Sequence, residues 1–209
     1  PKMTKVKELR NVTSQRANKS SFTIGVAVDS AFGFYYPDDL EKIEKYGCKI
    51  KRVNLIKDKQ ITSLDALFIG GGFPETQARD LEKNKSMKKS IKDAIENGMP
   101  TYAECGGLMY LAKTIKFKNS KMKMCGVFDI DVEMHDKPIG RGYTKLITNN
   151  HPWGMSLEKI NAHEFHYSSV RFNNKRYKYA YNIKRGYGIN GRDDGLIYKN
   201  TIASFSHLR

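Results

Sequence analysis

The sequence predicts an α/β fold: a doubly wound, mostly parallel sheet flanked by helices, with a more antiparallel C-terminal half. The first observation is a largely apolar run at 22–28, rich in β-branched residues, which is typical of a central parallel strand buried on both faces. The second is that residues 22–112 alternate between strand-like and helix-like segments, the pattern of βαβ units. The third is that strand-like runs separated by turn residues follow position 118.

Strands and helices alternate through the first half. The pattern predicts strands at 22–28, 50–55, 65–69 and 101–103 and helices at 38–46, 75–81, 87–96 and from 108 onward. Asp38 is a residue type that caps helices and Gly47 one that ends them, which sets the limits of the first helix. The mixed polarity of 50–55 indicates a strand at or near the sheet edge. Loops at the carboxyl ends of parallel strands form the edge that binds ligands.

The second half is predicted to be built of strands. Their predicted positions are 124–132, 142–148, 170–172, 178–183, 187–189, 196–199 and 201–205. Residues 186–191 match the pattern Gly-x-Gly-x-x-Gly of dinucleotide-binding proteins. A turn follows this match instead of a helix, so the context excludes a dinucleotide site.

Length and composition indicate one ordinary globular domain. The 209 residues are enough for a full core, and we assign 21–209 to the domain. Residues 1–20 contain few large apolar side chains and are interpreted as a linker or the remnant of a preceding domain. No apolar run approaches the length of a membrane span, and we expect no membrane partner. Three cysteines suit a reducing compartment, which predicts a cytoplasmic location.

The formal net charge is +15, which admits three readings. Nucleic-acid binding is one use of such a charge, solvated surface lysines are another, and a polyanionic small substrate is a third. The sequence contains no zinc-finger, RNP-type or helix-turn-helix pattern. We therefore predict no nucleic-acid partner.

Cys105 is the candidate nucleophile. It lies between the strand predicted at 101–103 and the helix predicted from Leu108, and Gly106 and Gly107 follow it directly. Glycines allow a tight turn and a close approach of backbone to substrate, and a helix N-terminus favours the thiolate form. This is the spacing of a nucleophile on a strand-to-helix turn. The alternative is a buried structural cysteine beside a glycine-rich turn.

Gly70, Gly71 and Gly72 end the strand predicted at 65–69. Their backbone N–H groups are suited to an anion or an oxyanion, and the alternative is a simple tight turn. No Gly-Lys-Ser/Thr follows at the spacing of a Walker A loop. A carbonyl attacked by Cys105 would develop its oxyanion near these glycines and Gly106.

Two histidines and a glutamate fall within four residues, at His163, Glu164 and His166. The His-x-x-His spacing is compatible with a metal, but no further Cys or His has convincing spacing, so we predict no metal site. A segment that positions a substrate or supports the site is the preferred interpretation. His207 follows a predicted strand and gains significance only if it meets Cys105.

These segments together resemble the class I glutamine amidotransferases, most closely the branch found in cobyrinate a,c-diamide synthase and nickel-sirohydrochlorin a,c-diamide synthase. The matching motifs are residues 32–40, 70–75, 102–111, 163–168 and 203–208, in that order. The resemblance implies release of ammonia from glutamine through a cysteine thioester. It also implies ATP-dependent amidation of the a and c acetate carboxylates of a cobyrinate-like or sirohydrochlorin tetrapyrrole.

The resemblance implies a role for each site residue. Cys105 would attack the glutamine amide, and His207 would accept the thiol proton and pass it to ammonia. Backbone N–H groups of Gly71, Gly72 and Gly106 would hold the oxyanion. The same motifs place Glu75, His163 and His166 among the substrate-binding residues.

This sequence departs from the pattern of the amidotransferase class in its expected catalytic carboxylate and in lacking a P-loop. The wider class has a carboxylate two residues beyond the catalytic histidine, where this sequence has Arg209. No P-loop is present, so no cofactor is expected for this domain, and ATP and Mg²⁺ are expected in a synthetase domain outside it.

Glutamine and an anionic tetrapyrrole are the expected substrates, and the full-length enzyme is expected to form a homodimer. A cysteine hydrolase of the same fold that does not use glutamine, and a non-catalytic binding domain, are the alternatives.

Overall fold

The computed structural model describes residues 22–208, so the predicted linker at 1–20 lies outside the described residues. The helices are α1 (Pro37–Lys45), α2 (Ala78–Lys83), α3 (Lys85–Glu96) and α4 (Gly106–Leu111). The first eight strands are β1 (Thr23–Ala27), β2 (Phe32–Phe34), β3 (Lys49–Val53), β4 (Ala66–Ile69), β5 (Gly71–Gly72), β6 (Thr101–Glu104), β7 (Thr114–Phe117) and β8 (Ser120–Lys123). The others are β9 (Ile130–Met134), β10 (Gly140–Thr148), β11 (Ile160–His166), β12 (Ser168–Phe172), β13 (Lys178–Arg185), β14 (Asp193–Tyr198), β15 (Thr201–Ser204) and β16 (His207–Leu208).

Ten strands form one mixed sheet in the order β16-β11-β10-β13-β14-β15-β6-β4-β1-β3. The strands from β3 to β15 pair in parallel, and those from β15 to β16 pair antiparallel. The α/β class and its more antiparallel second half are therefore confirmed. The antiparallel pairings supply a larger share of the sheet than the sequence predicts. The edge position of β3 confirms the prediction for 50–55.

The core lies where helices cover the parallel strands. In α3, Met87, Ile91 and Ile95 recur every four residues on one face and are fully buried. Asn84 caps this helix, because its side-chain oxygen accepts from the N–H of Met87 while its amide donates to the carbonyl of Leu55. The cap therefore joins α3 to the segment that follows β3.

Two smaller sheets complete the architecture of the described residues. Strands β12, β9, β7 and β8 form a four-stranded sheet, and β2 pairs with β5. The second pairing places Phe32 opposite Gly72, so the loop after β1 is tied to the glycine-rich loop after β4. Both loops lie at the carboxyl edge of the parallel strands.

Several sequence-predicted elements differ from the structure. The helix predicted at 75–81 begins at Ala78, because residues 73–77 form hydrogen-bonded turns. Residues 124–128 are apolar because they pack on the end of α4, and the strand predicted there starts only at Ile130. The β7–β8 hairpin was not predicted, and residues 187–189 form a turn instead of a strand. No helix among residues 22–208 has the length and apolarity needed to cross a bilayer.

Candidate active site

Cys105 occupies the sharp turn between β6 and α4, where the sequence places it. Its backbone adopts φ 47° and ψ −98°, a conformation that residues with side chains rarely take. Two hydrogen bonds hold this turn: the N–H of Cys105 donates to the carbonyl of Ser204 (2.7 Å), and its carbonyl accepts from the N–H of Met109 (3.1 Å). The residue is 8% exposed. The thiol is thus presented at the carboxyl edge of the sheet.

His207 reaches the same place from the far end of the chain. Strand β16 pairs antiparallel with β11, with His207 opposite His163. Both residues line the same pocket, and interaction with Cys105 contributes to the raised pKa of His207. The structure therefore brings together the thiol and the imidazole that the sequence could only propose as partners.

Cys105 and His207 line one pocket of about 410 Å³. Its other lining residues are Gly33, Phe34, Tyr35, Tyr36, Gly72, Phe73, His163 and Phe165. Aromatic rings form most of its wall, and His163 and His207 contribute imidazole groups. A largely apolar pocket with a few convergent polar groups is typical of a small-molecule site.

The predicted oxyanion glycines lie close to this pair. A Cβ atom added to Gly106 would lie 3.1 Å from the backbone nitrogen of Gly72, so the two main chains pass in near contact. A Cβ atom on Gly72 would lie 1.9 Å from the carbonyl oxygen of Ala31, and one on Gly71 would lie 2.6 Å from Cε1 of His207. Close approach therefore favours glycine at 71 and 72, whereas a Cβ at 106 would need its neighbours to shift slightly.

The charge state of His207 follows from its two polar neighbours. Burial alone lowers the pKa of this imidazole, but hydrogen bonds and charge interactions with Cys105 and Glu104 outweigh burial and raise the pKa to about 10. The ring is therefore an imidazolium at neutral pH. A positively charged imidazolium near a cysteine is the general setting in which a thiol becomes a nucleophile.

Glu104 is a site residue that sequence reasoning missed. Its Oε2 lies 3.3 Å from Nδ1 of His207, and its Oε1 accepts a hydrogen bond from the N–H of Leu208 (3.2 Å). Glu104 and His207 are both largely buried. The only sequence signal was a charged residue inside an otherwise buried strand.

The two predicted histidines of β11 lie on opposite faces of that strand. Burial alternates from Ile160 to His166, so residues three apart point to different sides. His163 lines the pocket and stacks on His207. His166 is buried and stacks on Phe205, with ring centroids 3.9 Å apart, and its Nδ1 lies 2.9 Å from the carbonyl oxygen of Ser168. His166 is not among the residues that line the Cys105 pocket, and its surroundings are those of a core residue.

Glu75 also lies outside the pocket. It lines a separate depression together with Lys118 and Met122. The turns at 73–77 carry the chain beyond the glycines before α2 begins. Burial raises the pKa of Glu75, but the side chain is not among the residues that line the Cys105 pocket. The structure does not support a substrate contact for Glu75.

A buried carboxylate braces the segment that leads to His207. Asp194 accepts hydrogen bonds from the N–H groups of Gly195 (2.8 Å), Phe205 (3.0 Å) and Ser206 (2.8 Å). Burial raises the pKa of Asp194, although these three donors act in the opposite direction. The contacts fix the two residues immediately before His207.

Among residues 22–208, no three His, Cys, Asp or Glu side chains are grouped so as to hold a metal ion. The opposite orientation of His163 and His166 explains why the His-x-x-His spacing does not form such a group.

Comparisons with known proteins identify the family of the chain. A model of the CobB/CobQ-like glutamine amidotransferase domain matches residues 23–209. The chain is 39% identical to the cobyrinate a,c-diamide synthase of Magnetococcus marinus, over 88% of this chain and 40% of that protein. It is 38% identical to the cobyrinate a,c-diamide synthase of Methanosphaera stadtmanae, over 97% of this chain and 44% of that protein. The chain thus spans less than half the length of these curated relatives.

Solved structures show the same fold at lower identity. PurLQS from Thermotoga maritima has a TM-score of 0.66 and 17% identity, covering 90% of this chain and 88% of that chain. A glutamine amidotransferase from Thermotoga maritima has a TM-score of 0.61 and 11% identity, covering 90% of this chain and 76% of that chain. The family match across nearly the whole chain shows that the chain belongs to the CobB/CobQ-like glutamine amidotransferase domain family.

Proposed function

We propose that this domain hydrolyses glutamine through a thioester on Cys105 and releases ammonia for amidation of the a and c acetate carboxylates of a cobyrinate-like tetrapyrrole. The observation that carries the hydrolytic step is that Cys105 and His207 line one pocket, where Cys105 helps to raise the pKa of His207. The acceptor is proposed from the name of the relatives that share about two residues in five with this chain.

The reaction begins with attack of the Cys105 thiolate on the side-chain carbonyl carbon of glutamine. The carbonyl π electrons move to oxygen, and N–H groups of Gly72 and Gly106 stabilise the resulting oxyanion. The near contact of these two glycine backbones supports their joint role. Collapse of the tetrahedral intermediate expels the amide nitrogen, which takes a proton from the His207 imidazolium and leaves as ammonia.

In deacylation, His207 acts as a base instead of an acid. The neutral imidazole of His207 removes a proton from water, and the hydroxide attacks the thioester. A second oxyanion forms in the same place, and its collapse releases glutamate and restores the thiolate–imidazolium pair.

The acceptor half of the reaction belongs to other residues. This chain has no Gly-Lys-Ser/Thr phosphate loop, so its residues do not fit ATP of that kind. The proposal assigns ATP, Mg²⁺ and carboxylate activation to a synthetase part of a longer protein, and homodimer formation to the full-length enzyme. The net charge of +15 is compatible with a substrate that carries many carboxylates.

Glutamate release from glutamine tests the hydrolytic step. We expect Cys105→Ala to abolish it while the circular dichroism spectrum stays unchanged. Cys48→Ala is the matched control, because Cys48 is only partly buried and does not line the pocket, and its rate should equal wild type. Undiminished hydrolysis in Cys105→Ala would overturn the proposal.

A covalent glutamine analogue tests the nucleophile, and an isotope label tests the acceptor. 6-Diazo-5-oxo-norleucine should modify Cys105 and leave Cys125 unmodified, since burial raises the pKa of Cys125 to about 12. For the acceptor, the natural full-length protein that carries this domain is given ¹⁵N-amide glutamine and ATP, with cobyrinate and sirohydrochlorin as competing acceptors. Label in cobyrinate supports the proposed acceptor, and label only in sirohydrochlorin would replace it.

A further inference from the structure

We propose that Glu104, the residue immediately before the nucleophile, is the positioning carboxylate that holds His207 in its productive orientation. This proposal rests on the proposed glutaminase function and names a third member for the Cys105–His207 pair. It replaces the acid that the wider class carries two residues beyond the histidine, a position that is Arg209 in this sequence.

The first argument is that both carboxylate oxygens of Glu104 contact residues of β16. Glu104 Oε2 lies 3.3 Å from His207 Nδ1, and Oε1 accepts from the N–H of Leu208 at 3.2 Å. One oxygen therefore holds the ring, and the other holds the backbone that carries the ring. With Nδ1 turned to Glu104, Nε2 is the ring nitrogen that remains for the thiol of Cys105.

The second argument is the strand geometry that brings two consecutive residues to one imidazole. Glu104 is the last residue of β6 and points to the same face as Tyr102, where both line an apolar groove together with Leu208. The positive φ of Cys105 turns the chain directly afterwards, so the thiol approaches the ring from a different direction. A regular strand would send the two side chains to opposite faces.

The third argument is electrostatic. The side chains of Glu104 and His207 are only 8% and 9% exposed, and a buried carboxylate needs partners of this kind. A buried acid on Nδ1 fixes the tautomer of the base and stabilises the imidazolium that forms during the reaction. The titratable groups that face His207 are Cys105, Glu104 and the stacked His163. Glu104 is the one carboxylate among them.

Glu104→Gln separates positioning from structural support. A glutamine oxygen can still accept from Leu208 N–H, but its amide group donates to Nδ1 and imposes the wrong tautomer. We expect kcat to fall by at least about 10²-fold while KM for glutamine changes little, because Glu104 does not line the pocket. The alkaline limb of kcat/KM should move to lower pH, since the imidazolium loses its carboxylate. Glu104→Asp keeps the charge and should restore part of the rate.

The matched control is Glu164→Gln. Glu164 is also buried, and its oxygens accept from the N–H groups of Tyr187 (2.6 Å) and Gly188 (2.7 Å). This variant removes a buried carboxylate without touching His207, so it should lower the melting temperature and leave the alkaline limb in place. An equal shift in both variants would overturn the positioning role.

The ring itself gives a readout that does not depend on activity. In ¹⁵N-histidine-labelled protein, the NMR titration of His207 should move to lower pH in Glu104→Gln and stay in place in Glu164→Gln. An unchanged titration and a wild-type kcat in Glu104→Gln overturn the positioning role alone. Hydrolysis that survives Cys105→Ala overturns the proposed function instead, so the two failures are distinguishable.

Discussion

The imidazole rings of His163 and His207 are stacked, with centroids 4.9 Å apart and an interplanar angle of 18°. The two residues face each other in the β11–β16 pairing, and the hydroxyl of Tyr36 lies 3.1 Å from Nδ1 of His163. The stacked ring of His163 therefore restricts where the imidazole of His207, the proposed base, can lie.

Replacing His163 by alanine should reduce catalysis more than stability. The loss of the stack allows the His207 ring to shift, and a small misplacement of a catalytic group costs up to about 10²-fold in rate. We expect kcat to fall by about ten- to a hundred-fold, with a free energy of unfolding within about 1 kcal/mol of wild type. Steady-state glutaminase assays and urea denaturation measure the two quantities.

His166→Ala should show the opposite pattern. The ring is buried against Phe205 at a centroid distance of 3.9 Å, so its removal leaves a cavity that we expect to cost roughly 2–4 kcal/mol. At a temperature where the variant is folded, its kcat should be close to that of wild type. A strong loss of kcat without loss of stability would indicate that His166 acts at the substrate site.

A methyl group on Gly71 should displace the imidazole. The added Cβ would lie 2.6 Å from Cε1 of His207, closer than real contacts allow. We expect Gly71→Ala to lower kcat/KM by about 10²-fold or more. Gly33→Ala is the control, because nothing lies within 4 Å of an added Cβ although Gly33 lines the same pocket. Equal activities of the two variants would contradict the proposed geometry.

Asp194 should make stability depend on pH. Burial raises its pKa in the folded state, although the N–H donors of Phe205 and Ser206 lower it. A folded-state pKa above the unfolded value of about 4 means that the stabilisation is full in acid and declines as pH rises through the folded-state pKa. The advantage of wild type over Asp194→Asn in unfolding free energy should therefore shrink between about pH 4 and pH 7. Urea titrations at both pH values measure the difference, and an advantage that grows would contradict the shift.

The sequence predicted those features that local patterns control. The strand, glycine pair and helix around Cys105 are contiguous, so their arrangement follows from turn chemistry and apolar periodicity. The alternation of strands and helices likewise predicted the parallel part of the sheet. Residues 124–128 were misjudged because burial against α4 makes a connecting segment as apolar as a strand.

At the site, the sequence does not show which way a side chain points. His163 and His166 belong to one motif, but the two-residue period of β11 sends them to opposite faces. Glu104 escaped notice because its partner, His207, is fixed by a strand pairing distant in sequence. Register and side-chain direction depend on such pairings, which a single sequence does not display.

The strained backbone at Cys105 implies a conflict between thermal stability and catalytic activity. A non-glycine residue in this sparsely populated region costs roughly 1–3 kcal/mol, whereas glycine adopts positive φ without that penalty. A glycine at this position would relieve the strain while removing the thiol. Directed evolution that rewarded heat resistance alone would therefore favour loss of the nucleophile, and only selection for turnover would retain it.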